Sequence, residues 1–477
     1  MPAKLTTIKI ILLIFGSLVA VLVMVALAVL IFFDANAYKP RVEAQLSEAT
    51  GMSVSVEGKL AVTIFPRLQL TLADVRIINQ GTELAFLKEA DIVIELLPLL
   101  QREIRYGNIS VSGARISILR DRDGRYNYQR PQGANQAFRG LKLPRVSFAD
   151  LVVAYADKQS GSAFESSMCN GSLEDMRHPG DAPLLSRLSL QGQFACAEVR
   201  GKNQAITDLK FSVAADEGVF GFKPVTMRAF GGIGSGTMRI DRSAEIPTYE
   251  MSYTLSKFRI EEFFKAQSSG ISVRGLMDFS TTLAMQGRSR LAMRQSTQGN
   301  MSLSGSNLAL SGLDLDAQLA KFESSQNLNL FDVGALLFAG PVGLAVTKGY
   351  EYTDLATKSK GNTQIPSVVS KWKVEKGIAQ ATDVALATNA NRLAVHGGLD
   401  FVTNQYRDIS VALLDANGCA KARQKISGAF TKPIIDKSSF LVPVGPLLRL
   451  LEKAKTFIAG PAVTCEVFYN GSVAAVK

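Results

Sequence analysis

Side chains that could perform catalysis or hold a metal are few and scattered in this sequence. Its two histidines, His178 and His396, lie more than two hundred residues apart, and neither has other metal ligands at the usual spacing. The carboxylates of Glu261 and Glu262 fall on a short helical stretch that looks exposed, which argues against an acid–base pair. The sequence contains neither a G-x-S-x-G nucleophile motif nor a phosphate-binding loop. We therefore predict a protein that is not an enzyme and uses no cofactor.

A glycine cluster at residues 231–236 is the one stretch that suggests a phosphate loop. Its spacing departs from G-x-G-x-x-G, and residues 237–241 continue as a strand instead of opening a helix. Glycines between two strands are typical of tight turns. We interpret the cluster as a β-turn or hairpin.

The four cysteines can form disulfides if the protein works outside the cytoplasm. They are Cys169, Cys196, Cys419 and Cys465, and no C-x-x-C spacing occurs that would indicate a redox site or a zinc ribbon. Three connectivities are possible, of which pairing each cysteine with its neighbour in sequence closes the two shortest loops. Buried free thiols are the alternative.

The balance of charge limits the partners of the protein. Its 53 lysines and arginines outnumber 42 aspartates and glutamates, which leaves a net charge of +11 with the basic residues scattered along the chain. Such a surface is solvated and can attract anionic lipid headgroups. No block of basic residues with interleaved aromatics occurs, so we predict no nucleic-acid partner.

Residues 10–33 form an apolar stretch without a charged side chain. Twenty-four residues at about 1.5 Å rise cover roughly 36 Å, enough for a helix to cross a bilayer with some tilt. Lys4 and Lys9 precede the stretch, so the positive-inside rule puts residues 1–9 in the cytoplasm and the bulk of the chain on the far side. A signal peptide cleaved after A-N-A at 35–37 is the alternative, but signal sequences have shorter apolar runs. We predict an uncleaved anchor.

Beyond the anchor, apolar and polar residues alternate as in half-exposed β-strands. Residues 52–64 show the pattern first, as one strand or as a hairpin bent at Gly58, and residues 68–72 repeat it. At Gly113 the apolar positions change from odd to even numbers, as at a β-bulge. Similar strands recur as far as residue 401.

Helical patterns are few and short. Residues 40–51 begin with proline, place their apolar side chains on one face and end at Gly51, which predicts a helix that packs on the sheet or lies on the membrane surface. Residues 260–265 form one or two turns, and further helices are expected at 332–348 and 446–458. So few helices cannot cover so many strands, and the sheet must close into a barrel, pair into a sandwich or curl into a trough.

Several short motifs, spread through most of the chain, carry a family resemblance. They are Phe33 to Pro40, Ala49 to Gly51, Val56 to Gly58, Phe65 to Leu68, Gly231 to Asp241, Leu328 to Val333, Gly340 to Leu344 and Gly418 to Lys421. This set resembles the AsmA family. None of the motifs is a catalytic signature.

The resemblance implies a single-pass protein of the inner membrane of a Gram-negative bacterium, with its N-terminus in the cytoplasm and its body in the periplasm. The family is linked to outer-membrane biogenesis. It is related to bridge-like lipid-transfer proteins, whose repeated β-groove units hold lipid chains on a concave apolar face. The trough that the strand pattern allows agrees with this, although a chain of 477 residues supports only a short groove.

We therefore predict a mainly β fold with few helices, in which a transmembrane helix precedes an elongated, curled antiparallel β-sheet that forms a groove with short capping helices. Five regions follow from this prediction. They are a cytoplasmic N-terminus at 1–9, the anchor at 10–33, an N-terminal AsmA-like β-groove unit at 34–140, a middle β-sheet region at 141–300 and a C-terminal AsmA-like region at 301–477.

The favoured function is lipid handling, in which the acyl chains of membrane phospholipids lie in the groove during transport between inner and outer membrane. The candidate groove residues are Val54, Val56, Leu60, Val62, Ile64, Leu68, Leu70 and Leu72, and ordinary core packing is the alternative for each of them. A second hypothesis is a scaffold for outer-membrane proteins or lipopolysaccharide that acts through other envelope proteins and has no open apolar channel. An enzyme acting on envelope lipids comes third, because no catalytic set was found.

Overall fold

A computed structural model describes the body of the chain as one β-sheet. The residues described are 34–64, 67–95, 98, 106–129, 141–179, 184–266, 272–325, 330, 361–436, 439–440, 465 and 467–476. The predicted anchor at 10–33 and the predicted helices at 332–348 and 446–458 lie outside them. Within these ranges, no helix combines the length and the apolar character that crossing a bilayer requires.

The mainly β composition with few helices is confirmed. The strands are β1 (Ser53–Val56), β2 (Leu60–Thr63), β3 (Leu68–Asn79), β4 (Thr82–Ile94), β5 (Tyr106–Arg120), β6 (Leu141–Asp157), β7 (Ser162–His178), β8 (Ser189–Gly201), β9 (Ala205–Asp216), β10 (Val219–Ala229), β11 (Gly232–Asp241), β12 (Thr248–Arg259), β13 (Ser272–Arg274), β14 (Leu276–Gln286), β15 (Gln298–Ser311), β16 (Asn362–Glu375), β17 (Ile378–Ala387), β18 (Arg392–Asp400), β19 (Gln405–Leu414), β20 (Ala420–Ala429), β21 (Lys432–Ile435) and β22 (Ser439–Phe440). The helices are α1 (Lys39–Thr50), α2 (Ile260–Ala266), α3 (Arg290–Ser296) and α4 (Leu315–Ser325), with 3₁₀ turns at Ala35–Tyr38 and Leu184–Ser186.

Strands that follow one another in sequence mostly pair with one another and run antiparallel. β1 and β2 pair in succession with β3, and β13 and β14 do the same with β15. The prediction of a wholly antiparallel sheet is wrong at one pair, because β5 and β6 run parallel with Asn108 opposite Arg145. The connection at 121–140 is long enough to return to the other end of the sheet, as parallel strands require. The sheet crosses both predicted region boundaries, and the division into regions stays a prediction.

A line of residues with left-handed backbone conformation crosses the sheet from β3 to β9. These residues are Asp74, Gly113, Asp150, Met168 and Asp208, with φ between 48° and 60°. Such a residue shifts the alternation of side chains by one position, so apolar residues keep to one face while their numbers change parity. Val111 and Ala114 accordingly join one apolar cluster, which confirms the change of phase predicted at Gly113.

The helix predicted at 40–51 is α1, and it packs on the sheet. Its proline lies in the first turn, and Gly51 ends it with a φ of 70°. Val42 and Leu46 contact the buried apolar side chains of the first strands. The alternative placement of this helix on a membrane surface is therefore wrong for this structure.

The first strand is interrupted rather than folded into a hairpin. β1 and β2 both pair with β3, and Gly58 lies in the break between them. A Cβ on Gly58 would lie 2.6 Å from the carbonyl oxygen of Ala73, so this close approach requires glycine.

In the described part of the chain, side chains cap the outer edge of β1 and β2. The N–H groups of Val54, Val56 and Leu60 donate to Ser47 Oγ, Glu43 Oε1 and Asn36 Oδ1 at 3.0, 2.7 and 3.0 Å. Unpaired N–H groups on an edge strand invite pairing with another chain. These three hydrogen bonds therefore block extension of the sheet at this edge.

The C-terminal strands β16 to β20 are largely buried on both faces. One face belongs to a large apolar cluster that Leu315 and Leu319 of α4 also enter. The other face carries small alanines, and residues 467–476 lie on them with Phe468 and Val473 buried. This end of the sheet is thus a closed core.

Asp383 attaches the tail of residues 467–476 to β17. Its carboxylate accepts hydrogen bonds from the hydroxyls of Tyr469 and Ser472, each at 2.6 Å, and pairs with Lys371 at 3.1 Å. Burial alone would raise the pKa of Asp383, but these hydrogen bonds outweigh burial and lower the pKa. The tail is therefore held by an ionised carboxylate.

We expect the tail to loosen in acid. Because folding lowers the pKa of Asp383, its stabilising effect is present above the ordinary aspartate pKa of about 3.9 and is lost as the pH falls through the lower folded value. Hydrogen exchange of residues 467–476, corrected for intrinsic rates, should accelerate once the pH falls below about 4. Asp383→Asn should exchange rapidly already at neutral pH. Equal protection of the wild-type tail in neutral and strongly acid solution would contradict this expectation.

Candidate functional site

One residue from each of fourteen strands lies in a single registered row across the apolar face. Each member is the direct cross-strand partner of the next. The apolar row consists of Leu60, Leu72, Ala90, Val111, Phe148, Gly171, Phe194, Phe211, Val225, Gly236, Tyr253, Thr281, Met301 and Trp372. Strands lie about 4.8 Å apart, so the row follows the sheet for roughly 60 Å without a charged side chain.

The two ends of the apolar row are closed, and its middle is open. Leu60 and Leu72 are buried because α1 covers the first strands, and Trp372 is buried in the C-terminal core. Between these ends, residues such as Phe211 and Val225 remain half-exposed. The accessible part of the apolar face therefore lies in the middle of the chain.

Four phenylalanine rings form a ladder along this middle part. Phe148 and Phe194 stack with their centroids 6.2 Å apart, Phe194 and Phe211 are 5.1 Å apart, and Phe222 continues the series at 5.9 Å. Strand β7 contributes Gly171 between the first two rings, and a Cβ there would lie 2.9 Å from the Phe194 ring. The rings of β6 and β8, which are not neighbouring strands, therefore pack against each other across Gly171.

Strand β11 presents glycines to the same face. Gly234 lies opposite Leu255, and Gly236 lies opposite Tyr253. The turn predicted from the glycine cluster is found at Phe230 and Gly231, which join β10 to β11 with φ of 52° and 74°. The other glycines of the cluster place no side chains on this face of β11. They leave a shallow depression along the strand, which we call the glycine strip.

Half of the twelve methionines line the apolar face of β10 to β15. They are Met227, Met238, Met251, Met277, Met285 and Met301. Met277 is buried, whereas Met238 is 38% exposed and the other four are half-buried. Because thioether side chains are flexible and polarizable, they adapt to apolar ligands of varied shape.

The open part of the face contains a cavity of 430 Å³, which we call the central groove. Its walls come from β9 to β12, β14 and α2, and none of the described residues that line it is charged. Phe263 of α2 closes one end, packed edge-on against Phe230 at 5.4 Å and Phe258 at 6.2 Å. The volume falls within the range of sites that bind small molecules. Such a lining suits an apolar ligand and offers no acid–base pair.

The predicted N-terminal groove residues lie on the same face but are mostly covered. Four of them, Val54, Val56, Leu60 and Leu72, are buried beneath α1. The other four, Val62, Ile64, Leu68 and Leu70, are half-buried except for Ile64, which is 36% exposed. A role in lipid contact stays a prediction for all eight residues.

The structure brings the cysteines together in the nearest-neighbour pairs. Cys169 and Cys196 are direct cross-strand partners on β7 and β8, with their Cα atoms 4.0 Å apart. Cys419 at the start of β20 pairs with Cys465 just before the tail, with Cα atoms 5.9 Å apart. The second disulfide therefore tethers the tail that Asp383 holds.

Asp157, at the end of β6, contacts residues from two parts of the sheet that are far apart in sequence. This carboxylate accepts from the backbone N–H of Gln159 at 2.8 Å and pairs with Arg120 at 3.1 Å and with Arg290 of α3 at 3.8 Å. Burial alone would raise the pKa of Asp157, but its hydrogen bonds lower the pKa to about 2. From β6 to β14 the sheet has seven steps between neighbouring strands. At about 20–25° of twist per step, the sheet turns through roughly 150°, which brings α3, the helix after β14, close to the β6–β7 hairpin. The sheet is therefore curled, as predicted.

The histidines occupy unrelated places. His178 is buried at the end of β7, and His396 stacks on Phe468 with 4.2 Å between ring centroids. Burial, with a smaller effect of Arg423, lowers the pKa of His396. Among the described ranges, no group of three or more histidine, cysteine or acidic side chains is arranged to hold a metal ion.

Sequence reasoning missed the central groove. The apolar side chains of β12 and β14 alternate as clearly as those of β1 to β3, but the pattern does not reveal which strands a helix covers. Two features did mark the site, namely the glycine cluster and the methionines that recur from 227 to 301. Both lie on one face only because of long-range strand register.

The sequence profile described as AsmA family matches two successive segments, residues 5–195 and 188–380. Together these segments cover more than half of the 477 residues, including the open part of the apolar row. No individual curated protein matches the sequence significantly.

Proposed function

The chain belongs to the AsmA family, and from that premise we propose that it is a non-enzymatic lipid-handling protein of the bacterial envelope. Acyl chains would lie along the apolar row, with the central groove as the most accessible part of their path. The observation that supports this proposal is the uncharged row of cross-strand partners, closed at its ends and open in the middle. A protein that only scaffolds others has no need of such a surface.

The hydrophobic effect supplies the binding energy in this proposal. Each methylene group that leaves water contributes about 0.8 kcal/mol, so a chain of several carbons is held without any specific polar contact. The flexible methionines accommodate chains of different length and unsaturation. No covalent step is required, in agreement with a lining that lacks charged groups.

The proposed location follows from the sequence and the family. Residues 10–33 would anchor the protein in the inner membrane with residues 1–9 in the cytoplasm and the sheet in the periplasm. The protein would then contribute to phospholipid transport between inner and outer membrane, and so to outer-membrane biogenesis. The accessible residues Val62, Ile64, Leu68 and Leu70 would extend the lipid path toward the anchor, and the four buried residues would join it only if α1 moved.

Photo-crosslinking in intact cells tests this proposal. A photoreactive amino acid at Met238 or Met251, which are cross-strand partners on the apolar face, should give lipid adducts. The matched controls are Arg239 and Glu250, which are cross-strand partners on the opposite, exposed face of the same strands. Protein adducts, or none, at the two methionines would overturn the proposal and favour a scaffold for outer-membrane proteins or lipopolysaccharide.

A further inference from the structure

Tyr253 places a hydroxyl group in the central groove, whose walls are uncharged and mostly apolar. It belongs to the apolar row between Gly236 and Thr281, and its ring lies across the glycine strip of β11. A Cβ added to Gly234 would overlap the Tyr253 hydroxyl, and one added to Gly236 would lie 3.0 Å from the ring. The two glycines thus let the tyrosine lie flat on the sheet, with its hydroxyl at the floor of the groove.

The Tyr253 hydroxyl has no hydrogen-bond partner among the described residues. The nearest row member with a hydroxyl, Thr281, already donates to the carbonyl oxygen of Asn300 at 3.2 Å. Burial raises the pKa of Tyr253, so the hydroxyl keeps its proton and remains a donor. Tyrosine hydroxyls in apolar surroundings usually have a partner. Water can fill that role in the empty groove but not once acyl chains occupy it.

We propose that the Tyr253 hydroxyl donates a hydrogen bond to the ester carbonyl of a bound acyl lipid. This inference rests on the proposed lipid-handling function and adds the class of lipid and its position. An ester carbonyl is a neutral acceptor, and a neutral group can enter an uncharged groove at far lower cost than a phosphate. The bond fixes the depth to which a chain enters, because its polar end stops at Tyr253.

Ester and ether lipids distinguish this hydrogen bond from hydrophobic binding. The full-length protein is incubated with vesicles of a diacyl phosphatidylethanolamine or of its di-O-alkyl analogue, which lacks the carbonyl groups, and the retained lipid is quantified. The wild-type protein should retain the ester lipid about three- to tenfold more strongly, the effect expected of one neutral hydrogen bond. Tyr253→Phe should abolish this preference while retaining the ether lipid as well as the wild type does.

Tyr249→Phe is the matched control. Tyr249 lies on the same face of the same strand, opposite Ile240 and Met285, and does not line the central groove. Its replacement should leave the preference for ester lipid unchanged. An equal preference in wild type and Tyr253→Phe would overturn the inference but leave the proposed function standing. Retention of neither lipid by the wild type would overturn both.

Discussion

Replacing Met251 with glutamate is expected to reduce the lipid retained by the protein at least about tenfold, because an unpaired carboxylate among apolar chains costs well over the 1.4 kcal/mol that corresponds to that factor. Met251 lies opposite Met238 on one side and Leu283 on the other, in the open part of the apolar face. It is only half-buried, so the glutamate remains hydrated in the empty groove. The fold should therefore survive the change.

Two variants separate the loss of lipid from other effects of Met251→Glu. Thr254→Glu adds the same charge to the exposed face of the same strand, where it meets no lipid path, and should retain wild-type amounts. Met251→Leu keeps the apolar volume and should also retain lipid. Lipid co-purified with full-length protein from the same membranes is measured by mass spectrometry. Equal retention by Met251→Glu and Thr254→Glu would contradict a lipid path through the central groove.

Local features of the fold were predictable where neighbouring residues determine them. Proline in the first turn and Gly51 at the end define α1 without reference to the sheet. The change of phase at Gly113 was visible because glycine marked it. The same change at Asp74 and Asp150 could not be predicted, because the sequence does not show which non-glycine residues of a strand adopt a left-handed conformation. The parallel pairing of β5 with β6 also depends on contacts far apart in sequence.

The site was harder to predict than the fold for a physical reason. Leu72 and Met251 both occupy positions at which apolar side chains alternate along a strand, so each presents the same local pattern. Leu72 is buried because α1 crosses the first strands, and Met251 is accessible because no described helix crosses β12 at that point. Coverage by a distant segment is a property of the folded chain. Glycine strips and clusters of methionine are better guides to an open apolar face than alternation alone.

Trp372→Ala should lower the free energy of unfolding by about 3–5 kcal/mol, the usual cost of emptying a buried aromatic site. Trp372 is 1% exposed and is the cross-strand partner of Met301 at the closed C-terminal end of the apolar row. Its indole N–H donates to Ser370 Oγ at 2.8 Å, and its ring packs in the large C-terminal cluster. Urea unfolding followed by far-ultraviolet circular dichroism measures the change, since Trp372 is the single tryptophan and its fluorescence is lost in the variant.

Lys373→Ala is the control for this loss of stability, because Lys373 is the next residue on β16, is exposed and, among the described residues, forms an ion pair only with Glu375 at 2.6 Å. Removing such a surface pair should cost at most about 1 kcal/mol. Trp372→Phe should recover most of the lost stability, since its ring refills part of the space but leaves Ser370 without the indole donor. If Trp372→Ala lowered the free energy of unfolding no more than Lys373→Ala does, the C-terminal core would not be closed at this residue. A lipid path would then extend past β16 into the C-terminal strands.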